Sequence, residues 1–175
     1  MKQVYLDQAI DVNDTLALDS KQAHHIFDVL RTSSKEKIRI ITKHSGVFYG
    51  HVLDKPNLHI DEKLDVLQDS QSITLCCALI KQDKFEWMLQ KACELGVSKI
   101  VPFVSKNTVV KLDEKKAEKK LVRWNEILLA ATKQCNRNTL VELESVVSLK
   151  DLVNYKSECN VVAYEKESDP SKHMA

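Results

Sequence analysis

Glycine is scarce in this sequence. The three glycines among 175 residues are Gly46, Gly50 and Gly96, far below the average usage of about 7%. Nucleotide-binding α/β folds place glycines where the backbone must come close to a phosphate or a ribose. Because no two of these glycines share such a loop, the sequence as written contains no recognisable cofactor loop.

The sequence also lacks an excess of charge of one sign, metal-binding cysteine motifs and long apolar runs. The 26 basic and 25 acidic residues leave a net charge of +1, so any nucleic-acid site must be a local patch. The five cysteines form no C-x-x-C motif, which argues against a structural metal and against a disulfide framework. No apolar run is long enough to span a membrane or to serve as a signal peptide. A cytoplasmic protein is therefore expected.

Residues 1–69 have the pattern of a small β-rich domain with one helix. Apolar alternation predicts five strands, at Val4–Leu6, Thr15–Leu18, Lys37–Ile41, Val47–Leu53 and Lys63–Leu67. Residues 43–46 predict a hairpin turn. Ser20 is the predicted cap of a helix whose core stripe is Ala23, Ile26, Phe27 and Leu30. Five short strands with one helix are typical of a small barrel.

A second pattern, from residue 70 onward, predicts an α/β domain built on a parallel sheet. The apolar run Ile73–Ile80 predicts a strand buried on both faces. A helix follows, with the stripe Phe85, Met88, Leu89, Ala92 and Leu95 and with Gly96 as its stop. Ile100, Val101, Phe103 and Val104 predict a second strand, interrupted by Pro102. Strand, helix and strand within about 30 residues form a βαβ unit.

The rest of the chain continues this domain without completing it. Residues 113–135 predict a long helix, with the core stripe Ala117, Leu121, Trp124, Leu128, Ala131 and Cys135. A last strand is predicted at Asn160–Tyr164, followed by a short polar tail. Three parallel strands and two helices would leave one edge of the sheet uncovered. The pattern therefore resembles an incomplete domain.

Four motifs make the chain similar to a known family. They are H-I-x-x-V-L-R at 25–31, K-x-D-K-x-E-W-x-L-Q-K-A-x-E-L-G-V at 81–97, R-W-x-x-I-x-x-x-A at 123–131 and Q-C-x-R-N at 134–138. In this order and spacing they resemble the RsmE family of 16S rRNA (uracil-N3) methyltransferases, which belong to the SPOUT superfamily. The resemblance covers the chain almost from end to end.

The resemblance implies a fold, a reaction and partners. It implies a PUA-like β-barrel that binds RNA at 1–69 and the first part of a SPOUT methyltransferase domain at 70–175. The trefoil-knot portion, with its G-P-E-G-G and R-x-L-R-x-E-T-A segments, is absent from this sequence. The family is a homodimer built through that knot. It transfers a methyl group from S-adenosylmethionine (SAM) to N3 of a uridine in the assembled small ribosomal subunit. Because the knot segment binds most of the cofactor, the chain as given is expected to be inactive.

The resemblance also implies that Arg137 is a catalytic residue. Uracil N3 must lose its proton before it can be methylated, and a cation near the ring oxygens would stabilise the resulting anion. Gln134, in the same motif, is expected to contact RNA. Spacing alone allows a simpler alternative, in which polar and charged residues at the end of a helix favour its dipole.

Further RNA contacts are expected from residues on three other elements. Lys84 and Lys91 flank Trp87 on one helix face, where they could hold a phosphate and a base. His25 and Arg31 match the family motif at 25–31, in the predicted barrel. Lys106 lies in a turn that commonly reads S-E-R-S in the family, and its charge could take the place of the missing arginine. Solvated lysines, packing of Trp87 against the other domain and local ion pairs beside Arg31 are the alternatives.

Two more expectations concern the cofactor and the choice of function. If Tyr164 and Glu165 end the strand that enters the knot, they would lie beside SAM, outside the carboxyl ends of the parallel strands. Two departures, Gln82 in place of a common glycine and Asn107 in place of an arginine, weaken parts of the match. The alternatives to an rRNA uracil-N3 methyltransferase are a non-catalytic RNA-binding module and a SPOUT enzyme with another RNA target.

Overall fold

Two sheets with separate cores make up the chain in the computed structural model. The structure describes residues 2–42, 46–66, 72–106, 108 and 114–163. The predicted domain boundary near residue 70 and the hairpin turn at 43–45 lie outside the described residues. Within the described residues, no helix is long and apolar enough to cross a membrane.

The N-terminal sheet has five strands in the order β1-β3-β4-β5-β2. These are β1 Gln3–Leu6, β2 Thr15–Ala17, β3 Ile38–Thr42, β4 Gly46–Val52 and β5 Asn57–Leu64. β1 runs parallel to β3, and the other neighbouring pairs are antiparallel. The sheet curls as a half-barrel, which confirms the β-rich unit; the closed PUA-like barrel stays a prediction.

A helical segment between β2 and β3 packs on this sheet. It comprises α1, Ser20–Ala23, and a π-helical turn, His24–Val29. The cap is Asp19 rather than the predicted Ser20, because the Asp19 carboxylate accepts the backbone N–H of Gln22 at 2.7 Å. The Gln22 side chain accepts the Asp19 N–H in return, which completes a capping box. Ala23 and Ile26 are buried as the stripe predicted, against a core that includes Ile38, Ile40, Phe48, Leu58 and Ile60.

The fifth strand begins six residues earlier than its predicted start at Lys63, at Asn57. Leu58 and Ile60 alternate into the core, and Pro56 precedes the strand instead of ending it. Gly50 lies at a register shift between β4 and β5. A Cβ there would come within 2.2 Å of the His59 carbonyl oxygen, so only glycine permits this approach.

The parallel sheet confirms the predicted βαβ unit. Its strands are β6 Thr74–Ala78, β7 Lys99–Val104, β8 Glu142–Leu143 and β9 Val147–Ser148, and all pairings are parallel. The helices α2, Gln82–Glu94, and α3, Glu114–Gln134, contribute to one core with Phe85, Leu89, Ile100, Trp124 and Leu128. β6 is partly exposed, not buried on both faces as predicted, because it forms an edge of the sheet.

Pro102 lies inside β7, although its pattern suggested a strand end. β8 pairs with β7 as far as Ile100, and β9 resumes the pairing at Phe103. Pro102 is therefore placed between the two short strands, where no ladder hydrogen bond requires its missing N–H.

Two apolar predictions fail where elements end. Leu95, the last member of the predicted α2 stripe, is 79% exposed, and Cys93 is fully buried in its place. The reason is that α2 stops at Glu94 and Gly96 turns the backbone with φ +93°. The predicted strand at Asn160–Tyr164 is also wrong for its described part, residues 160–163. Val161 and Val162 are 59% and 85% exposed there, with no strand beside them in the described residues.

Candidate functional site

The carboxyl edge of the parallel sheet is the first place to seek a ligand, because open parallel sheets bind ligands there. α2 begins at this edge after β6, and Lys106 follows the end of β7. Beside Lys106, the Ser105 N–H donates to the Thr108 hydroxyl at 2.8 Å, and the Thr108 N–H donates to the Ser105 carbonyl at 3.1 Å. Lys106 is exposed on this turn. Asn107 lies outside the described residues.

The described part of this edge does not by itself fit a nucleoside cofactor such as SAM. Ile80 after β6 and Leu149 after β9 remain 47% and 53% exposed, so the described residues do not cover the edge. None of the three glycines lies there. Tyr164 and Glu165, the predicted cofactor residues, are outside the described part of the chain.

The outer face of α2 presents the predicted cluster of two lysines and a tryptophan. Trp87 is 63% exposed and Lys84 is exposed near the start of the helix. Lys91 lies one turn further along and pairs with Glu94 at 2.6 Å. The alternative that Trp87 packs against the N-terminal sheet is not seen. The second tryptophan, Trp124, is the one buried in the core.

The opposite, amino edge of the sheet holds Arg137. Its Nη1 donates to the carbonyls of Cys93 at 2.9 Å and Val97 at 2.8 Å. These carbonyls lie at the end of α2 and just before β7, where the Gly96 N–H also donates to Cys93. Arg137 therefore caps the carboxyl end of α2. Its catalytic role stays a prediction.

The predicted site residues thus separate into two groups within one chain. Lys84 and Lys106 lie at the carboxyl edge, whereas Arg137 and Gln134 lie at the amino edge. β7 has six residues, so the two edges are roughly 20 Å apart at about 3.3 Å per residue. A single chain does not bring Arg137 next to a ligand at the carboxyl edge.

At the amino edge the Q-C-x-R-N motif meets the N-terminal sheet. The Tyr5 hydroxyl donates to the Thr132 carbonyl at 3.2 Å and lies 3.4 Å from that of Arg137. Arg39 of β3 donates to the side chain of Asn138. The segment that contains Arg137, the predicted catalytic residue, therefore also helps to hold the two sheets together. No local pattern points to Tyr5 or Arg39, because more than ninety positions separate each from its partner.

The electrostatics of the junction follow from burial. Burial raises the pKa of Tyr5 to about 12, although the nearby Arg39 opposes the shift. The tyrosine therefore remains a neutral hydrogen-bond donor at physiological pH.

His25 and Arg31, predicted RNA contacts, are both exposed on the helical segment and the turn after it. The alternative of a local ion pair on this helix face is confirmed for His24 and Asp28, at 2.9 Å, without Arg31. Asp28 also pairs with Lys55 at 2.7 Å. Arg31 has φ +46°, which turns the chain out of the helix. His25 and Lys133 both line a cleft of about 620 Å³, and Gln134 is exposed next to Lys133 in the sequence.

The cysteines are poor candidates for chemistry. Burial raises the pKa of the Cys77 thiol to about 12 and also raises that of Cys76. Thiols with raised pKa values are weak nucleophiles at neutral pH. Among the described residues, no group of three or more metal-ligating side chains converges on one point.

Comparisons of the sequence and of the structure with known proteins both find methyltransferases as relatives. A family model described as RNA methyltransferase domain matches residues 68–175. The chain is 32% identical over 169 residues to the ribosomal RNA small subunit methyltransferase E of Bacillus subtilis, covering 92% of this chain and 66% of that one. The enzyme of the same name from Buchnera aphidicola is 26% identical over 153 residues, covering 82% and 60%. The chain therefore spans less than two thirds of these two curated relatives.

Solved structures of methyltransferases are similar to this chain in fold. A Legionella pneumophila protein described as a methyltransferase with bound SAM has a TM-score of 0.81 at 26% identity, covering 95% of this chain and 72% of that one. The ribosomal RNA small subunit methyltransferase E of Neisseria gonorrhoeae, also bound to SAM, has a TM-score of 0.78 at 28% identity, with coverages of 90% and 67%.

Proposed function

The chain belongs to the RNA methyltransferase domain family, and from that premise we propose that it is part of a SAM-dependent methyltransferase acting on small-subunit rRNA. The observation that carries the proposal is the family match over residues 68–175, which is the whole parallel-sheet unit. The relatives named ribosomal RNA small subunit methyltransferase E extend the likeness through the N-terminal sheet.

The proposed target atom is N3 of a uridine in 16S rRNA of the assembled small subunit. This choice rests on the resemblance of the four motifs to the RsmE family. SAM, when bound, supplies an electrophilic methyl group, and the protein must hold the uracil ring and favour loss of its N3 proton. A cation beside the ring oxygens favours that loss because negative charge develops on them.

The residues proposed to contact RNA are spread over both sheets. They are His25, Arg31, Lys84, Lys91, Lys106 and Gln134, all with solvent-exposed surface in the structure. Lys84 and Lys106 lie at the edge where a ligand of a parallel sheet is expected. Lys91 is the weakest candidate, since Glu94 already compensates its charge.

A homodimer is part of the proposal. Arg137 and the carboxyl edge are on opposite sides of the sheet in one chain, so a second subunit is the direct way to bring both to one uridine. Light scattering of the complete protein measures this. A mass of two chains supports the dimer, and a mass of one chain rules out this arrangement.

Arg137 offers the sharpest test of the active-site assignment. We expect Arg137→Ala in the complete protein to abolish methyl transfer while SAM binding persists. Because Arg137 also caps α2 through charge-assisted hydrogen bonds, the variant should lose about 1.5–3 kcal/mol of unfolding free energy. Assays must therefore be run well below its unfolding midpoint.

Arg137→Lys is the matched control, because it keeps the charge and loses the planar fork. Methyl transfer that survives in both variants of Arg137 contradicts the catalytic role, and capping of α2 is then its one remaining role.

The cofactor proposal, including contacts from Tyr164 and Glu165, is tested separately by calorimetric titration of the 175-residue chain with SAM. Absence of binding agrees with a cofactor site formed mainly by other residues.

An RNA-binding module without catalysis is the second candidate. It is favoured by one observation, namely that the described carboxyl edge does not form a cofactor site. A third possibility, another RNA target for the same chemistry, follows from Asn107 in place of the family arginine. Analysis of methylated nucleosides separates all three.

A further inference from the structure

A cleft of about 620 Å³ opens where the N-terminal sheet meets the end of α3. Its lining comes from the starts of β1 and β3, the helical segment and Lys133 in the last turn of α3, and consists of Lys2, Gln3, His25, Leu30, Glu36, Lys37 and Lys133. Two of the family-like motifs meet here, one containing His25 and the other beginning directly after Lys133. The cleft is at the amino edge of the parallel sheet, away from the expected cofactor edge.

The cations of the cleft are not equally compensated. Lys2 forms an ion pair with Glu36, and Lys37 pairs with Glu62 at 2.9 Å. Lys133 has no carboxylate partner among the described residues. Its ammonium lies 5.8 Å from the centre of the Tyr5 ring, a contact that suits a cation but leaves its charge in place.

The position of Lys133 is fixed by its neighbours. Gln3 donates from Nε2 to the Lys133 carbonyl at 3.1 Å and to the Asn136 side chain at 3.3 Å. Burial, and secondarily the positive charge of Lys21, lower the pKa of Lys133. A cation that is partly desolvated and held beside another cation gains from an anionic ligand, because the ligand removes the repulsion.

We propose that this cleft binds the phosphodiester backbone of single-stranded RNA, with the Lys133 ammonium as its principal phosphate contact and His25 also in the lining. The inference rests on the proposed function for the identity of the nucleic acid. The cleft is open, and its lining includes three lysines and one amide beside the Glu36 carboxylate; lysine ammonium groups are the usual contacts of a nucleic-acid backbone. It would hold the RNA strand at a distance from the reacting base, which gives orientation without sequence readout.

The test is the salt dependence of RNA binding by the chain. Fluorescence anisotropy of a labelled single-stranded RNA gives log K against log salt for the wild type and for Lys133→Gln. We expect several-fold weaker binding in the variant and a slope smaller by about 0.7, the value for one lost phosphate contact to a single strand. Lys133→Arg should restore the slope, since it keeps the cation.

Lys150→Gln is the matched control. Lys150 is an exposed lysine on the short helix after β9, at the carboxyl edge and therefore across the parallel sheet from the cleft, and its loss should leave the slope unchanged. An unchanged slope in Lys133→Gln, equal losses in both variants, or no RNA binding by the wild type would overturn the inference.

Failure of the proposed function has a different signature. RNA binding that depends on Lys133, without methyl transfer to small-subunit rRNA by the complete protein, would support the RNA-binding cleft and contradict the enzymatic proposal. Methyl transfer by the complete protein, with binding and slope unchanged in Lys133→Gln, would support the enzymatic proposal and contradict the RNA-binding cleft.

Discussion

Polar side chains add to an apolar contact between the two sheets, in which Tyr5, Ile41 and Val47 pack with Leu129 of α3 and Leu140. Tyr5, Gln3 and Arg39 of the N-terminal sheet each hydrogen-bond to the segment 132–138 at the end of α3. Arg137 in that segment bonds in turn to the end of α2. Arg137, the proposed catalytic residue, is thus part of a structural network, and its substitution is expected to have structural as well as functional effects.

Tyr5→Phe isolates one bond of this network. Loss of the hydroxyl should lower the unfolding free energy by about 0.5–1.5 kcal/mol, measured by urea denaturation at neutral pH. An unchanged midpoint would contradict the hydrogen bonds from Tyr5 to α3.

The same variant tests the pKa of Tyr5. Its folded pKa, about 12, lies above the ordinary tyrosine value of 10.0, so the folded state keeps a proton that the unfolded state loses between these values. Stability must therefore fall as pH rises through this window. We expect the fall to be smaller in Tyr5→Phe than in the wild type. Equal alkaline losses in both proteins would contradict the shift.

Thiol reactivity gives a second prediction at this scale. Cys135 and Cys159 are exposed, whereas Cys93 is buried and Cys76 and Cys77 are partly buried. Burial raises the pKa values of the last three. Ellman's reagent at neutral pH should modify two thiols rapidly and three slowly, and Cys135→Ser should remove one fast equivalent. Fast reaction of Cys77 would be inconsistent with its desolvation.

At the scale of elements, the burial of side chains along α2 follows helical periodicity up to the residue where the helix ends. Phe85, Leu89 and Ala92 are buried as their spacing predicted. Leu95 is exposed because the helix has already ended, and helical spacing holds only while the helix continues. The Val97 N–H donates to the Ala92 carbonyl at 3.0 Å, the bond that closes a Schellman motif around Gly96.

Leu89 within α2 and Leu95 just after its end test that assignment. Leu89→Ala should cost about 2–5 kcal/mol of unfolding free energy, because it opens a cavity in the core. Leu95→Ala should change it by less than about 0.5 kcal/mol, as for other surface positions. Similar losses in the two variants would place Leu95 in the core after all.

The sequence predicted elements better than it predicted their contacts. The βαβ unit, α3 and four of the five N-terminal strands follow from local apolar periodicity, which the sequence contains. The strand expected at Lys63–Leu67 was misplaced because the pairing of β5 with β4 sets its start. Arg137 could not be assigned from spacing, because its bonds to Cys93 and Val97 depend on how α3 and α2 pack.

At the scale of the whole molecule, the junction should couple the unfolding of the two sheets. Both tryptophans belong to the parallel-sheet unit, so their fluorescence reports that unit, while circular dichroism reports the whole chain. In urea the two signals should coincide for the wild type and separate for the double variant Tyr5→Phe, Arg39→Ala. Separate curves in the wild type would show that the junction contributes little.

The two edges of the parallel sheet have different roles in the proposed function. We propose that the methyl donor binds at the carboxyl edge, and the amino edge carries the cleft and the Q-C-x-R-N segment. RNA that contacts both edges must cross the molecule or pass between two subunits.

Mass analysis of nucleosides from small ribosomal subunits tests the central proposal most directly. Subunits that lack the modification are incubated with the complete protein and SAM, and their rRNA is then digested to nucleosides. The account predicts N3-methyluridine, formed only when both protein and SAM are present. Methylation of another base would contradict the assigned target, and the absence of any methylated product would contradict the enzymatic function itself.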